Sequence, residues 1–377
     1  MKTGHWIYFS MVLLAVALLR ATSPGQTFSV LYSFKGKPDG NAPSAGVTLD
    51  SYGNLYGTTL EGGDSDCGTV FQIDPSGTET VLYSFPCDDF MHPESGLILD
   101  GAGDIFGTSY GNWEIPYGGV FKLDRAHGKV ALHHFTANGG HNPIGGVVRD
   151  PDGNVYGTTS LAGGGSRGTV FKLSPSGKET VLYDFTGNAD PAAAAGPLVL
   201  DRNGNLFGTS LEGGRFFYGT VFKLDPQGLL TILHDFAANG NGAIWPESGL
   251  VMDQSGTLYG TTLTGGDFGQ GTIFKIDPAG NYSVLHSFSR NEWPNPAAGL
   301  CLGKNGNLYG ITNSWDSARA TVFEANVNGA FRIVHRFTGT DGISPRGALY
   351  RDGAGNLYGT TKFGGVYGAG TVFKITF

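Results

Sequence analysis

The hexapeptide Leu55-Tyr56-Gly57-Thr58-Thr59-Leu60 returns in close copies to the end of the chain, and this recurrence limits the possible folds more than any other feature. The glycine of its Tyr/Phe-Gly core falls at Gly57, Gly107, Gly157, Gly208, Gly260, Gly310 and Gly359, seven copies spaced 49 to 52 residues apart. A period near 50 is that of one propeller blade and exceeds the roughly 20 to 29 residues of a leucine-rich coil. A chain of 377 residues would otherwise suggest two or three domains. An unbroken repeat argues instead for one closed array.

Each repeat holds four strand-like segments, read most plainly in the third copy. Gly145–Asp150 is the first, and the turn Asp150-Pro151-Asp152-Gly153-Asn154 leads to the second, Val155–Thr159. A glycine-rich loop precedes Thr169–Leu173, and the turn Ser174-Pro175-Ser176-Gly177 leads to Thr180–Phe185. Short segments rich in Val, Leu, Tyr, Phe and Thr between Gly/Pro/Asn/Asp clusters describe an antiparallel meander. They are apolar on both sides, as expected when neighbouring blades cover both faces of each sheet. No segment after the N-terminal region keeps a helical apolar period for three turns without glycine or proline, so helices are nearly excluded.

The phase of the repeat predicts how the ring closes. The chain enters on a fourth-type strand, Ser29–Phe34, and stops on a third-type strand, Thr371–Ile375. Pairing the two would complete blade seven and remove the open edge that a linear array would carry. The expected architecture is all-β: a seven-bladed β-propeller over residues 27–377, with four antiparallel strands per blade.

Residues 1–26 read as a secretory leader: Lys2 gives a positive start, Trp6 to Leu19 is almost wholly apolar, and Ala21-Thr22-Ser23 offers small residues for cleavage. Removing Lys2 and Arg20 takes the formal charge from -8 to -10. That charge disfavours nucleic acid, whose phosphates need a basic footprint. A secreted or periplasmic monomer without a membrane-spanning segment in its mature part is the expectation, as is the absence of a C-terminal anchor.

The combination of Asp201–Thr209, the Gly213-Gly214 loop, Gly219–Pro226 and Ile232–Phe236 resembles the GloVer-type tandem-repeat family of secreted bacterial proteins. The resemblance covers essentially the whole mature chain. It implies an extracellular repeat protein and carries no agreed activity or catalytic residues. Kelch blades are similar more distantly, through doublets such as Gly62-Gly63 and turns such as Asp74-Pro75, although the kelch partner tryptophan is absent from the fourth strand.

Several motifs have ordinary explanations. The Asp-x-x-Gly-Asn turns lack the converging oxygen ligands of a calcium loop and are explained by an aspartate that caps turn amides. His133, His234, His286 and His335 replace the tyrosine of other copies at one fourth-strand position, so they cannot converge on a metal. No metal site or cofactor is expected. His92 and His141 fall in loops that could face a ligand. Cys67 and Cys87 flank the outer hairpin of blade one and are placed for a disulfide, three free thiols being the alternative, and Cys301 is expected to be a buried free thiol.

The candidate site comes from what does not repeat. Trp113, Trp245, Trp293 and Trp315 lie in two loop types, second-to-third strand and blade-to-blade, which emerge on the same rim of a propeller. Bulky variable residues on one face of a regular scaffold suggest a ligand platform. Trp245, Glu247, Arg290, Glu292, Trp293, Trp315, Asp316 and Arg319 form its densest part, and Tyr110, Trp113, Glu114, Phe216, Phe217 and Tyr218 form a second patch. Such aromatics beside charged groups would suit a glycan or a peptide, unless they merely plug loops against one another. Two alternatives accompany this binding role. One is a polysaccharide hydrolase or lyase using Glu94, Glu247 and Glu292 as acids or bases with His92 assisting, and the other is a structural envelope protein.

Overall fold

The computed structural model describes residues 25–377 apart from 112–116, 125, 127, 137–138, 162–163, 165–166, 195, 239–241, 294, 297 and 314–318. Most of the expected leader, together with Trp113, Glu114, Trp315 and Asp316, lies outside these residues. The rest forms seven four-stranded antiparallel sheets, one per repeat. Blade three runs from the axis outward as Val147–Arg149, Val155–Thr159, Thr169–Leu173 and Glu179–Asp184. The helical element among the described residues is a single 3-10 turn, Arg290–Glu292.

The repeated Tyr/Phe-Gly core has a packing origin. In blade three, Gly157 pairs with Phe171 on the neighbouring strand, and a Cβ on Gly157 would lie 2.6 Å from the tip of that ring. Phe171 is itself fully buried and meets Phe135 of the previous blade edge to face, with ring centroids 4.9 Å apart. Glycine therefore provides space for a phenylalanine that locks one sheet against the next. The third strands contribute to seven apolar clusters, each joining two adjacent blades, and the core is a ring of blade interfaces. Every third-to-fourth strand pairing also shifts register, in blade three between Val170 and Phe171, and such bulges add local twist to the outer strand.

The ring closes with the front of the chain. Thr27–Ser33 lies antiparallel to Thr371–Thr376, so blade seven consists of Tyr350–Arg351, Leu357–Thr361, Thr371–Thr376 and Thr27–Ser33. Phe28 in this borrowed strand stacks on His335 of blade six at 3.8 Å and 7°, and also packs on Phe373. The N-terminal strand thus contributes to both the last sheet and the last interface.

The aspartate turns are closed by hydrogen bonds. Asp150 Oδ1 accepts the Asn154 amide at 2.8 Å, while Oδ2 accepts the Asn154 side chain at 2.7 Å and the Tyr156 hydroxyl at 2.9 Å. Burial alone would raise the Asp150 carboxyl, but these bonds outweigh it and hold it below the ordinary carboxylate value. The same balance lowers Asp50, Asp253 and Asp352. A depressed folded-state value stabilises the protein above the ordinary carboxylate pKa, and that stabilisation disappears as the folded carboxylates protonate. Thermal melts should therefore show Tm falling once the pH drops below about 4, with a shallower fall when the four aspartates are replaced by asparagine.

Blade six uses a different arrangement because Gly303 replaces the turn aspartate. Its carboxylate is supplied by Glu324 on the third strand, where blade three has Lys172. Glu324 accepts the Tyr309 hydroxyl at 3.2 Å and also binds Asn307 and Arg332. The carboxylate has moved to another strand while its tyrosine and asparagine partners are retained.

Cys67 is joined to Cys87 across the outer hairpin of blade one, with Cα atoms 5.5 Å apart. Cys301 is free and half-buried on an inner strand. Burial pushes its thiol up to about 11, so little thiolate forms near neutral pH.

Candidate functional site

In each blade the incoming loop pairs with the loop between the second and third strands. Gly40–Asn41 pairs with Glu61–Gly62, Pro191–Ala192 with Glu212–Gly213, and single bridges such as Met91 with Tyr110 do the same elsewhere. The two variable loop types therefore share one rim. At one matching position every incoming loop holds a non-glycine residue in left-handed conformation: Ala42, His92, Asn142, Ala193, Trp245, Asn295 and Ser344, with φ between 50° and 69°, and Asn188 and Trp293 are further cases in two of these loops. Non-glycine residues persist there when their surroundings fix them. At Trp245 the amide donates to Tyr218 O of the previous blade at 3.1 Å, and the carbonyl accepts the Leu263 amide at 3.0 Å. A side chain at this position is presented by a clamped backbone.

Trp245 opens onto a groove of about 280 Å³ shared with Phe217, Tyr218, Arg167 and Glu212. Trp245 is 38% exposed and Phe217, itself at φ 64°, is 62% exposed. Arg167 and Glu212 stand 3.6 Å apart at the groove, both well exposed, and Arg215 lies over the adjacent Phe216. The groove thus combines Trp245 from one sequence-defined patch with Phe217 and Tyr218 from the other. Tyr110 is exposed on blade two.

The remaining members of the main patch are placed elsewhere. Glu292 accepts the Ser289 amide at 2.6 Å and faces His286 at 3.3 Å. This arrangement repeats one in which Tyr32 bonds Asp39, Tyr183 bonds Asp190 and His335 bonds Asp341. Trp293 is partly covered by the Arg336 guanidinium, 4.6 Å from the ring centroid. Arg290 and Arg319 are exposed. The fourth-strand histidines lie at blade contacts: His234 stacks on Tyr282 and His286 on Phe331, while His133 faces Glu179 at 3.2 Å. Burial pulls His234 down to about 4, leaving it neutral at physiological pH. The His92 amide donates to Cys67 O, and His141 is bridged to Leu161.

A second concavity, about 400 Å³, sits on the axis and is lined by the loop ends and innermost strands of the blades. Its mouth carries Glu94 from blade two, Glu247 from blade five and Arg346 from blade seven, above walls that include Leu97, Ile98, Val148 and Tyr350. Burial raises the Glu247 carboxyl, while nearby Arg346 partly offsets this. The Glu247 side chain is open to the cavity yet surrounded by protein, which limits its solvation. Arg346 was missing from the sequence-derived set, although Pro93-Glu94, Pro246-Glu247 and Pro345-Arg346 occupy matching loop positions. Arg167 and Glu212 had no comparable signal, since only the fold brings them together. Among the described residues, no three His, Cys, Asp or Glu side chains are grouped to hold a metal.

Seven closed blades with one variable rim define a β-propeller, and its concavities include an aromatic groove on that rim and an axial cavity. The model of the Gloeobacter/Verrucomicrobia repeat matches residues 16–199, 97–320 and 280–377, and the chain belongs to that family. Comparison with the curated proteins found no match. Among solved structures, it is similar to the extracellular domain assigned to a one-component system of B. thetaiotaomicron (TM-score 0.59, 12% identity), covering 92% of this chain and 39% of that one. A protein assigned as a 6-phosphogluconolactonase from Bacteroides uniformis is also similar (TM-score 0.53, 17% identity), covering 78% of this chain and 85% of that one. At these identities the likeness concerns the fold alone.

Proposed function

We propose that the chain is a secreted or periplasmic, monomeric binding module whose variable rim takes a glycan or a peptide. The observation that carries this reading is the groove of Trp245, Phe217 and Tyr218 beside Arg167 and Glu212. Partly exposed aromatic faces next to paired charges provide stacking area and orienting polar groups, and a clamped Trp245 backbone reduces the ordering cost of binding. The leader-like residues 1–26 and the disulfide between Cys67 and Cys87 support export to an oxidising compartment.

A glycan and peptide array should give signals that fall about tenfold or more for a Trp245→Ala/Phe217→Ala variant. Tyr52→Ala, on an 80% exposed turn of the opposite rim, should retain them. Equal signals from all three proteins would remove the groove from the account. The raised carboxyl of Glu247, sharing a cavity with Glu94, favours a second reading as a polysaccharide hydrolase or lyase. That reading requires product release from a polysaccharide and its loss in Glu247→Gln.

A further inference from the structure

The axial cavity has three charged groups without direct partners. Glu94, Glu247 and Arg346 make no hydrogen bond or salt bridge among the described residues, although Arg346 is near enough to Glu247 to favour its carboxylate. Their order around the ring fixes the geometry. Blades two and five are three steps apart one way and four the other, so the glutamates face each other across the mouth. Arg346 on blade seven lies two blades from each, in the longer arc, and Ile144 of blade three occupies the shorter one.

Two carboxylates across a mouth call for a cation, and a guanidinium between them calls for an acceptor oxygen on the same ligand. The walls beneath are glycine backbone with the partly exposed side chains of Ile98, Val148 and Tyr350, together with Ser44, Ser95 and Ser248, while Leu97 and Leu349 back them from the blade interfaces. Ser95 and Ser248 are already bonded to Thr108 and Thr261, so few side-chain groups remain for the several hydroxyls of a sugar, and burying unpaired hydroxyls there would be costly. An apolar group fits that depth, and the volume is at the small end of ligand cavities.

We propose that the axial cavity captures the amino terminus of a peptide whose first residue is apolar. The α-ammonium group sits between Glu94 and Glu247, the first carbonyl oxygen accepts from Arg346, and the first side chain enters the apolar walls. The rest of the peptide leaves over the rim. This inference rests on the rim-binding reading and selects a peptide over a glycan at the axis.

Titration calorimetry of the mature chain with the tripeptide amide Leu-Ala-Ala tests the assignment. Binding should weaken about ten- to hundredfold when the peptide is N-acetylated, since a charge-assisted contact is lost. The Glu94→Gln/Glu247→Gln variant should lose a similar factor, Arg346→Ala a smaller one, and Tyr52→Ala on the opposite rim none. No binding of the free tripeptide, equal affinity for its acetylated form, or full affinity in the double glutamine variant would overturn the proposal. Because acetylation is tested on the wild-type chain, a variant that misfolds cannot decide the outcome. Glycan signals that depend on Trp245, together with no tripeptide binding, would defeat this inference and leave the groove reading standing. Silence in both experiments would end both.

Discussion

A chain lacking residues 27–33 is expected to lose its cooperative unfolding transition. These residues supply the entire fourth strand of blade seven, and Phe28 also fills part of the interface between blades six and seven. Their removal exposes Thr371–Thr376 as an open edge and leaves His335 without its stacking partner. Because each blade is stabilised by two neighbours, the defect should spread through the ring. Denaturant melts should show a broad or probe-dependent transition in place of a single sharp one. Restoring the segment after Phe377 through a short linker should recover cooperativity, since the pairing does not depend on which chain end delivers the strand. Retention of full native stability by the truncated chain would contradict the closure.

Replacing one phenylalanine that holds adjacent blades together should have the next largest effect. Phe171 is completely buried, lies over Gly157 and meets Phe135 of the preceding blade. Phe171→Ala should cost about 3–5 kcal/mol, because the cavity lies between two rigid sheets. The opposite change, Gly157→Ala, places a methyl group against the ring and should cost about 1–3 kcal/mol. Guanidinium melts give both values. A loss below about 1 kcal/mol for Phe171→Ala would show that the interface can collapse around the deletion.

The architecture was legible because each blade repeats the same packing problem. A glycine under a phenylalanine, an aspartate closing a turn and a bulged outer strand recur at a period that only a ring can close. The chain phase even showed which end completes the last sheet. The rim was less legible because sequence neighbours separate radially. Trp245 and Glu247 are two residues apart, yet one opens onto the groove and the other onto the axis. Glu292 resembled a free rim acid, but it occupies the position at which other blades bond a fourth-strand tyrosine or histidine. Arg346 could have been found by aligning the loops, whereas the meeting of Arg167 with Glu212 depends on how adjacent blades pack.

Both proposed sites depend on a closed ring that places all variable loops on one rim. Amide hydrogen exchange across Thr371–Thr376 in the intact chain tests that closure most directly. Pairing with Thr27–Ser33 predicts protection equal to that of Thr169–Leu173 in blade three, which also lies between two strands. Rapid exchange along one side of Thr371–Thr376, as at an open sheet edge, would contradict the ring.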